Sequence, residues 1–234
     1  MNCLSTELRK CLIRKGASIV GFADLKDIPE DQRENYRYGI SIAVSLNPHI
    51  IAGIKNGPTK DYYAEYTRVN DLLDNLDEYA AKIIRQHGFK ASPKIKRSIQ
   101  TDKTTLRTTL PHKTAATRAG IGWIGKCALL ITKEFGSAIR LSTILTDAEL
   151  NTGLPINESK CGKCSICTRS CPGNAVLGIN WNIDRDRSDY FNAFKCKNEA
   201  QRRSNELGVE ERICGKCIFI CPWTQKYLKS QNSI

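Results

Sequence analysis

Long apolar stretches are missing from this sequence of 234 residues. No run approaches the roughly 20 residues that a membrane-spanning helix needs. The first sixteen residues, MNCLSTELRKCLIRKG, lack the apolar h-region of a secretory signal, because charges are spread through them. These absences predict a cytoplasmic protein with no membrane association. The N-terminal part holds no internal repeat and the chain holds no low-complexity tract, so nothing marks a repeat array or a disordered tail. A compact Lys/Arg block is also lacking. The formal charge of +12, from 36 Lys+Arg against 24 Asp+Glu, therefore leaves a solvated basic surface and a nucleic-acid site equally open. A hydrophobic fraction of 41% and a charged fraction of 26% are those of an ordinary globular protein.

What is present divides the chain unevenly. The N-terminal sixteen residues read as an amphipathic helix, with Ser5 or Thr6 near its N-cap and Gly16 as its stop. Residues 16–25 and 38–47 are apolar, β-branched runs ended by turn-prone residues and read as strands. The best helix covers 58–88. Tyr62, Tyr66, Val69, Leu72, Leu73, Leu76, Tyr79, Ala80 and Ile83 recur at helical spacing, as core packing does, and Gly88 follows as a stop. A strand is expected at 89–95, a short helix at 111–119 ending at Gly120, and a β-hairpin over 127–145 turning through 133–136. The polar stretch 151–159 marks a boundary. The expected architecture is α+β: an N-terminal α/β sandwich-like domain over 1–150 and a C-terminal bacterial two-cluster ferredoxin-like domain over 155–234.

The cysteines carry the chemistry. Of eleven, eight lie between Cys161 and Cys221, and only Cys3, Cys11 and Cys127 lie outside that stretch. With no export signal, clustering at short spacings points to metal ligation instead of disulfides. Cys161-x2-Cys164-x2-Cys167-x3-Cys171-Pro172 wraps a tight loop whose first three thiolates can reach three corners of a [4Fe–4S] cubane. Pro172 suits a helix start, where its missing N–H would be unpaired anyway. Zinc ribbons use two CxxC pairs with a spacer, which four cysteines in eleven residues followed by proline do not supply. A second half-motif, Cys214-x2-Cys217-x3-Cys221-Pro222, lacks one thiolate, and Cys196 is the remaining cysteine nearby. In two-cluster ferredoxins the fourth cysteine ligates the other cluster. Crossing them assigns Cys161, Cys164, Cys167 and Cys221 to the first cluster and Cys171, Cys196, Cys214 and Cys217 to the second. Each cubane with four thiolates adds about −2, which brings the loaded protein to about +8.

The run AGIGWIGKCALLITKEFGSAIRLSTILTDAEL at 119–150, followed by the double-cluster region ending CGKCIFICPWTQ at 214–225, resembles epoxyqueuosine reductase and its short relatives. The resemblance covers about 111–225. It implies two [4Fe–4S] clusters feeding electrons to a cobalamin on the N-terminal α/β domain, where reduced cobalt attacks an epoxide on a tRNA wobble nucleoside. Reductive dehalogenases share this cluster–corrinoid plan. The crossed ligand set matches the family's. By position, Lys126, Leu130 and Leu141 are the corrinoid-contacting candidates. Two departures stand out. The sequence ends soon after Cys221-Pro222-Trp223, without the helical-repeat extension of full-length members. Leu106 also occupies the position where the family places its proton-donating aspartate.

Smaller signals surround that position. Asp102, four residues from Leu106, and His112, just before the glycine-rich turn, are the candidate proton donors. None of His49, His87 and His112 lies in a recognisable corrinoid-ligand motif. Gly120, Gly122 and Gly125 have G-x-G-x-x-G spacing but no framing βαβ unit, and read as close backbone approach. Cys127 reads as a buried core cysteine on the first strand of the hairpin. The sequence predicts an iron–sulfur oxidoreductase that takes electrons from a ferredoxin- or flavodoxin-type donor and passes them to a corrinoid or bound substrate. A non-catalytic electron carrier, or an activator that re-reduces a partner corrinoid protein, is the competing expectation. tRNA or a corrinoid protein is the expected macromolecular partner.

Overall fold

The computed structural model describes residues 3–95 and 99–231. The chain forms two compact units, and each is built from three separate segments. One comprises 1–45, 69–121 and 140–156; the other comprises 46–68, 122–139 and 157–234.

The first unit is built on a four-stranded sheet. Strand β1 (Ile19–Asp24) pairs antiparallel with β2 (Tyr38–Ser45) in a register that sets Val20 opposite Ile42 and Phe22 opposite Ile40. Strand β3 (Ala91–Pro93) pairs antiparallel with β6 (Ile139–Thr146), and the order across the sheet is β1-β2-β6-β3. The central positions of β1 and the six inner positions of β2 are all buried, so both faces of these strands are covered. That is why they read as near-continuous apolar runs and not as alternating ones. Helix α1 (Cys3–Arg14) lays Leu4, Leu8 and Leu12 against the core and packs on β1. Its start at Cys3 puts Ser5 inside the helix instead of at the cap, and the buried Ser5 hydroxyl accepts from the Asn151 backbone N–H at 2.9 Å.

The long helix α3 (Lys60–Gln86) follows the expected stripe, with Val69, Leu73, Leu76, Ala80 and Ile83 buried. Helix α4 (His112–Arg118) packs on β1 and β2 and ends at Ala119. The next residue, Gly120, has φ +71°, and a Cβ there would sit 2.5 Å from the Leu154 carbonyl oxygen. Only glycine fits that left-handed position.

The second unit holds α2 (Pro48–Gly53), a two-stranded antiparallel ribbon of β4 (Trp123–Ile124) and β5 (Leu130–Ile131), and five helices. These are α5 (Ile166–Ser170), α6 (Arg187–Tyr190), α7 (Ala193–Leu207), α8 (Lys216–Ile220) and α9 (Pro222–Gln231). The expected hairpin over 127–145 does not form. β5 pairs with β4, while β6 joins β2 and β3, and only a single bridge between Thr132 and Gly136 survives at the turn. Past that bridge the backbone is drawn elsewhere. Ser137 N–H donates to Thr224 Oγ1 at 3.1 Å, and the Ala138 carbonyl accepts from Leu46 N–H at 2.9 Å. Among the described residues no helix is long and apolar enough to cross a membrane.

Candidate metal centre

The first cysteine motif folds as a turn feeding a short helix. Cys164 N–H donates to the Cys161 carbonyl at 3.1 Å, Ser165 caps α5, and Cys167 lies in the first turn of that helix. Cys171 leaves α5 in extended conformation, with φ −72° and ψ 113°. Pro172 then enters a turn and not the expected helix. Asn174, at φ +49°, donates its N–H to the Cys171 carbonyl and closes that turn. The second motif behaves differently. Gly215, at φ +75°, caps α8, Cys217 lies in that helix's first turn, and Cys221 ends it. Pro222 is the first residue of α9, where the missing N–H costs nothing. Cys196 comes from the first turn of α7, whose Asn192 cap accepts from Lys195 N–H.

The sulfurs fall into two groups. Cys161, Cys164, Cys167, Cys217 and Cys221 ring a cavity of about 110 Å³, closed by Lys126, Cys127, Ile131, Pro222 and Trp223. Cys171, Cys196 and Cys214 form the other group, near enough that Cys171 and Cys214 act electrostatically on Cys196. Burial, reinforced by those neighbours, pushes the Cys196 thiol up to about 11. Burial likewise raises Cys221, which feels Cys161 and Cys167. All eleven cysteines are free thiols. No group of three or more His, Cys, Asp or Glu side chains among the described residues closes on a single metal ion. The five sulfurs of the first group surround a space instead of converging on a point, and a soft thiolate ring around a space is the donor set a cubane takes.

The turn joining β4 to β5 forms one wall of that cavity. Gly125 N–H donates to the Leu129 carbonyl and Ala128 N–H to the Gly125 carbonyl, both at 2.9 Å. A Cβ on Gly125 would lie 2.4 Å from Ile131 Cδ1 and 3.5 Å from Cys161 Sγ, so the backbone runs close beside the first cluster motif. Lys126 is 5% exposed, and its Nζ donates to the Cys164 carbonyl at 2.9 Å. Cys127 is buried as expected, but it sits in this turn and not on a hairpin strand. Its side chain lines the cavity together with Cys167 and Cys217. Trp123 meets Trp223 edge-on at 5.1 Å, tying the ribbon to the start of α9.

The remaining candidates are dispersed. Leu130 is buried in β5, its side chain against Gly122. His112 and Leu141, in the other unit, line a small cavity of about 110 Å³ with Asn70, Asp74, Arg140 and Ser142. The His112 Nδ1 shares a hydrogen bond of 2.9 Å with Thr143 Oγ1. Desolvation, aided by the Arg140 charge, lowers its pKa to about 4, so the ring is neutral at pH 7. Asp102 is exposed and closes an Asx turn. Its Oδ1 accepts from Thr104 N–H and Thr104 Oγ1, both at 2.6 Å, and from Thr105 N–H at 3.2 Å. These bonds, led by the Thr104 hydroxyl, hold the carboxyl below the usual carboxylate range. Leu106 donates its N–H to the Asp102 carbonyl and has φ +54°, a left-handed conformation unusual for leucine.

Comparison with known proteins agrees with this geometry. Residues 160–224 match the family described as a 4Fe-4S double cluster binding domain. The epoxyqueuosine reductase of Aliivibrio fischeri is 36% identical over 113 residues, covering 47% of this chain and 30% of that protein. The chain spans about 30 to 40% of the length of the first curated relatives it matches. Two solved structures share the fold at low identity. One is an epoxyqueuosine reductase bound to an epoxyqueuosine-modified tRNA-Tyr stem loop, with TM-score 0.59 and 20% identity over 95% of this chain and 65% of that one. The other is a reductive dehalogenase described as suggesting a mechanism for B12-dependent dehalogenation, with TM-score 0.65 and 16% identity over 93% of this chain and 32% of that one. Over about half its length the chain is thus similar to epoxyqueuosine reductases, and residues 160–224 match a 4Fe-4S double cluster binding domain.

Proposed function

We propose that the protein is a cytoplasmic iron–sulfur reductase that moves single electrons through two cubanes to a corrinoid or substrate held by the α/β unit. In this reading Cys161, Cys164, Cys167 and Cys221 hold one cluster, and Cys171, Cys196, Cys214 and Cys217 hold the other. The observation that carries it is the division of the sulfurs. Cys221 lines the cavity of the first motif, and Cys171 and Cys214 act on Cys196. Cys221 with the first motif, and Cys171 with Cys196 and Cys214, is the pairing a crossed double-cluster domain requires, while Cys217 also borders the first cavity. Each cubane would supply one-electron storage, and a corrinoid would supply a strongly reducing metal nucleophile.

The chain's own residues frame the chemistry. Asp102 is an ionised turn anchor and not a proton reservoir, and His112 is a neutral ring at pH 7 that carries no imidazolium proton to give. Leu106 cannot donate at all. The electron donor is a ferredoxin- or flavodoxin-type protein, and the partner that accepts the chemistry is tRNA or a corrinoid protein. The lack of an acid at Leu106 favours a second reading, in which the protein carries electrons to a partner and performs no epoxide chemistry itself. The visible spectrum of anaerobically purified protein with hydroxocobalamin and a reductant separates the two. A base-off corrinoid spectrum with stoichiometric binding supports the first, and no binding at micromolar concentration supports the second.

A further inference from the structure

The β4–β5 turn carries a buried cation and a ninth sulfur that the eight-ligand set does not use. Lys126 is almost fully buried, lines the same cavity as Cys161, Cys164, Cys167 and Cys221, and is anchored through Nζ to the Cys164 carbonyl. An ammonium taken out of water is strongly destabilised unless an opposite charge meets it. The anion in this cavity would be the thiolate-ligated cubane. Cys127, 4% exposed, lines the same cavity as Cys167 and Cys217, which the crossed set assigns to different clusters. The backbone is held in an uncommon shape to present this pair. Ala128 has φ +59°, a left-handed conformation that L-residues rarely adopt. Strain of this kind gathers at functional sites, where surrounding structure over-determines it.

We propose that the turn 125–128 sets the reduction potentials of the cluster pair, with Lys126 as a positioned positive charge beside the first cluster and Cys127 as a buried thiol that can donate to a ligand sulfur, lying beside Cys167 of one set and Cys217 of the other. The proposal rests on the crossed ligand set. A cubane with four thiolates carries about −2 when oxidised and −3 when reduced. One electron from a reduced ferredoxin- or flavodoxin-type donor makes that change, and no atom or proton moves. A nearby cation in a poorly solvated site stabilises the trianion more than the dianion, so it raises the potential. A hydrogen bond to a ligand sulfur acts in the same direction, because it withdraws charge from the cluster. The first cluster then becomes the preferred resting place of the electron, and Cys127 couples it to the second.

The test is a redox titration of the anaerobically reconstituted holoprotein, followed by electron paramagnetic resonance, in wild type and in Lys126→Met, Lys126→Arg, Cys127→Ala and Cys127→Ser. Iron and sulfide near eight in wild type with two cluster signals first secures the two cubanes; a lower count there overturns the cluster pair on which the proposal rests, whereas the variants below test the turn itself. Lys126→Met, still holding eight iron, is expected to shift the reduction equilibrium of one cluster at least tenfold toward oxidised, which is 59 mV for one electron. Lys126→Arg keeps the charge and should stay near wild type. Loss of one cluster in Lys126→Met with retention in Lys126→Arg also supports the charge. Loss in both, or unmoved midpoints in a fully loaded Lys126→Met, overturns it. Cys127→Ala should lower a midpoint that Cys127→Ser largely restores; no shift in Cys127→Ala removes that residue from the proposal.

Discussion

Asp77 offers the sharpest test of the α/β unit, because its burial makes a quantitative claim about pH. It lies on α3 with no solvent exposure. Ser142 donates its hydroxyl to Oδ1 at 2.7 Å, and Oδ2 has no partner. Burial pushes its pKa to about 8, against the pull of the Ser142 bond and helped by the Asp74 charge. The folded protein therefore keeps a proton that the unfolded chain releases at about pH 4. Between about pH 4 and 8 the native state binds the extra proton, so stability falls as pH rises through that window and levels off above it. The slope is about 1.4 kcal/mol per pH unit, so from pH 5 to pH 7 Asp77 withdraws about 3 kcal/mol. Asp77→Asn removes this slope while leaving an oxygen for Ser142 to donate to. Any packing change in the variant is the same at every pH, so the difference between the two proteins isolates the titration. The thermal midpoint of Asp77→Asn should gain about 6–12 °C on wild type between pH 5 and pH 7. Parallel profiles across that range would refute a buried, protonated Asp77.

Anaerobic reconstitution should yield close to eight iron and eight sulfide per chain, and Cys196→Ser should remove the signal of one cluster while leaving the other. Four iron in wild type would contradict two cubanes. Gly136→Ala should cost about 2–4 kcal/mol, read as a lowered thermal midpoint. Gly136 has φ +58°, and its Cβ would fall 2.2 Å from the Thr224 backbone nitrogen. Gly53→Ala, with nothing within 4 Å, is the neutral control. Supplied with epoxyqueuosine-bearing tRNA, cobalamin and a strong reductant, the protein should form little or no queuosine by mass spectrometry. Turnover like that of a full-length reductase would show that a donor other than Asp102 and Leu106 serves.

Local signals were readable where the local chain decides the outcome. The strands β1 and β2 were visible as apolar, β-branched runs, and α3 as a stripe in which Tyr62, Val69, Leu73, Leu76, Ala80 and Ile83 are indeed buried. What failed depended on distant partners. The apolar runs at 127–145 look like a hairpin, yet β6 takes β2 and β3 as neighbours across the sheet, and no local pattern encodes that choice. Pro172 and Pro222 follow cysteines in the same way, but only Pro222 begins a helix, because Asn174 turns the chain after Pro172. Asp77 reads in sequence as one more polar residue on a charged helix, and only the sheet beside it makes it buried. Lys126 and Cys127 were legible as residues near a glycine turn. Their meeting with Cys164, Cys167 and Cys217, some 40 to 90 positions later, was not.

The braided order of the two units bears on how the chain can be made and cut. The unit holding the cysteine groups draws on 46–68 and 122–139 as well as on everything after 156. A ribosome therefore releases its first segment long before its last, and that unit cannot close until nearly the whole chain has emerged. For the same reason the cysteine-rich stretch is not a portable cassette. A fragment beginning at 157 would carry eight thiols but leave behind Lys126, Cys127 and Ile131, which wall their cavity, and Ile54 and Tyr62, which pack against Gly215. Swapping this region between relatives would have to move three pieces of chain at once.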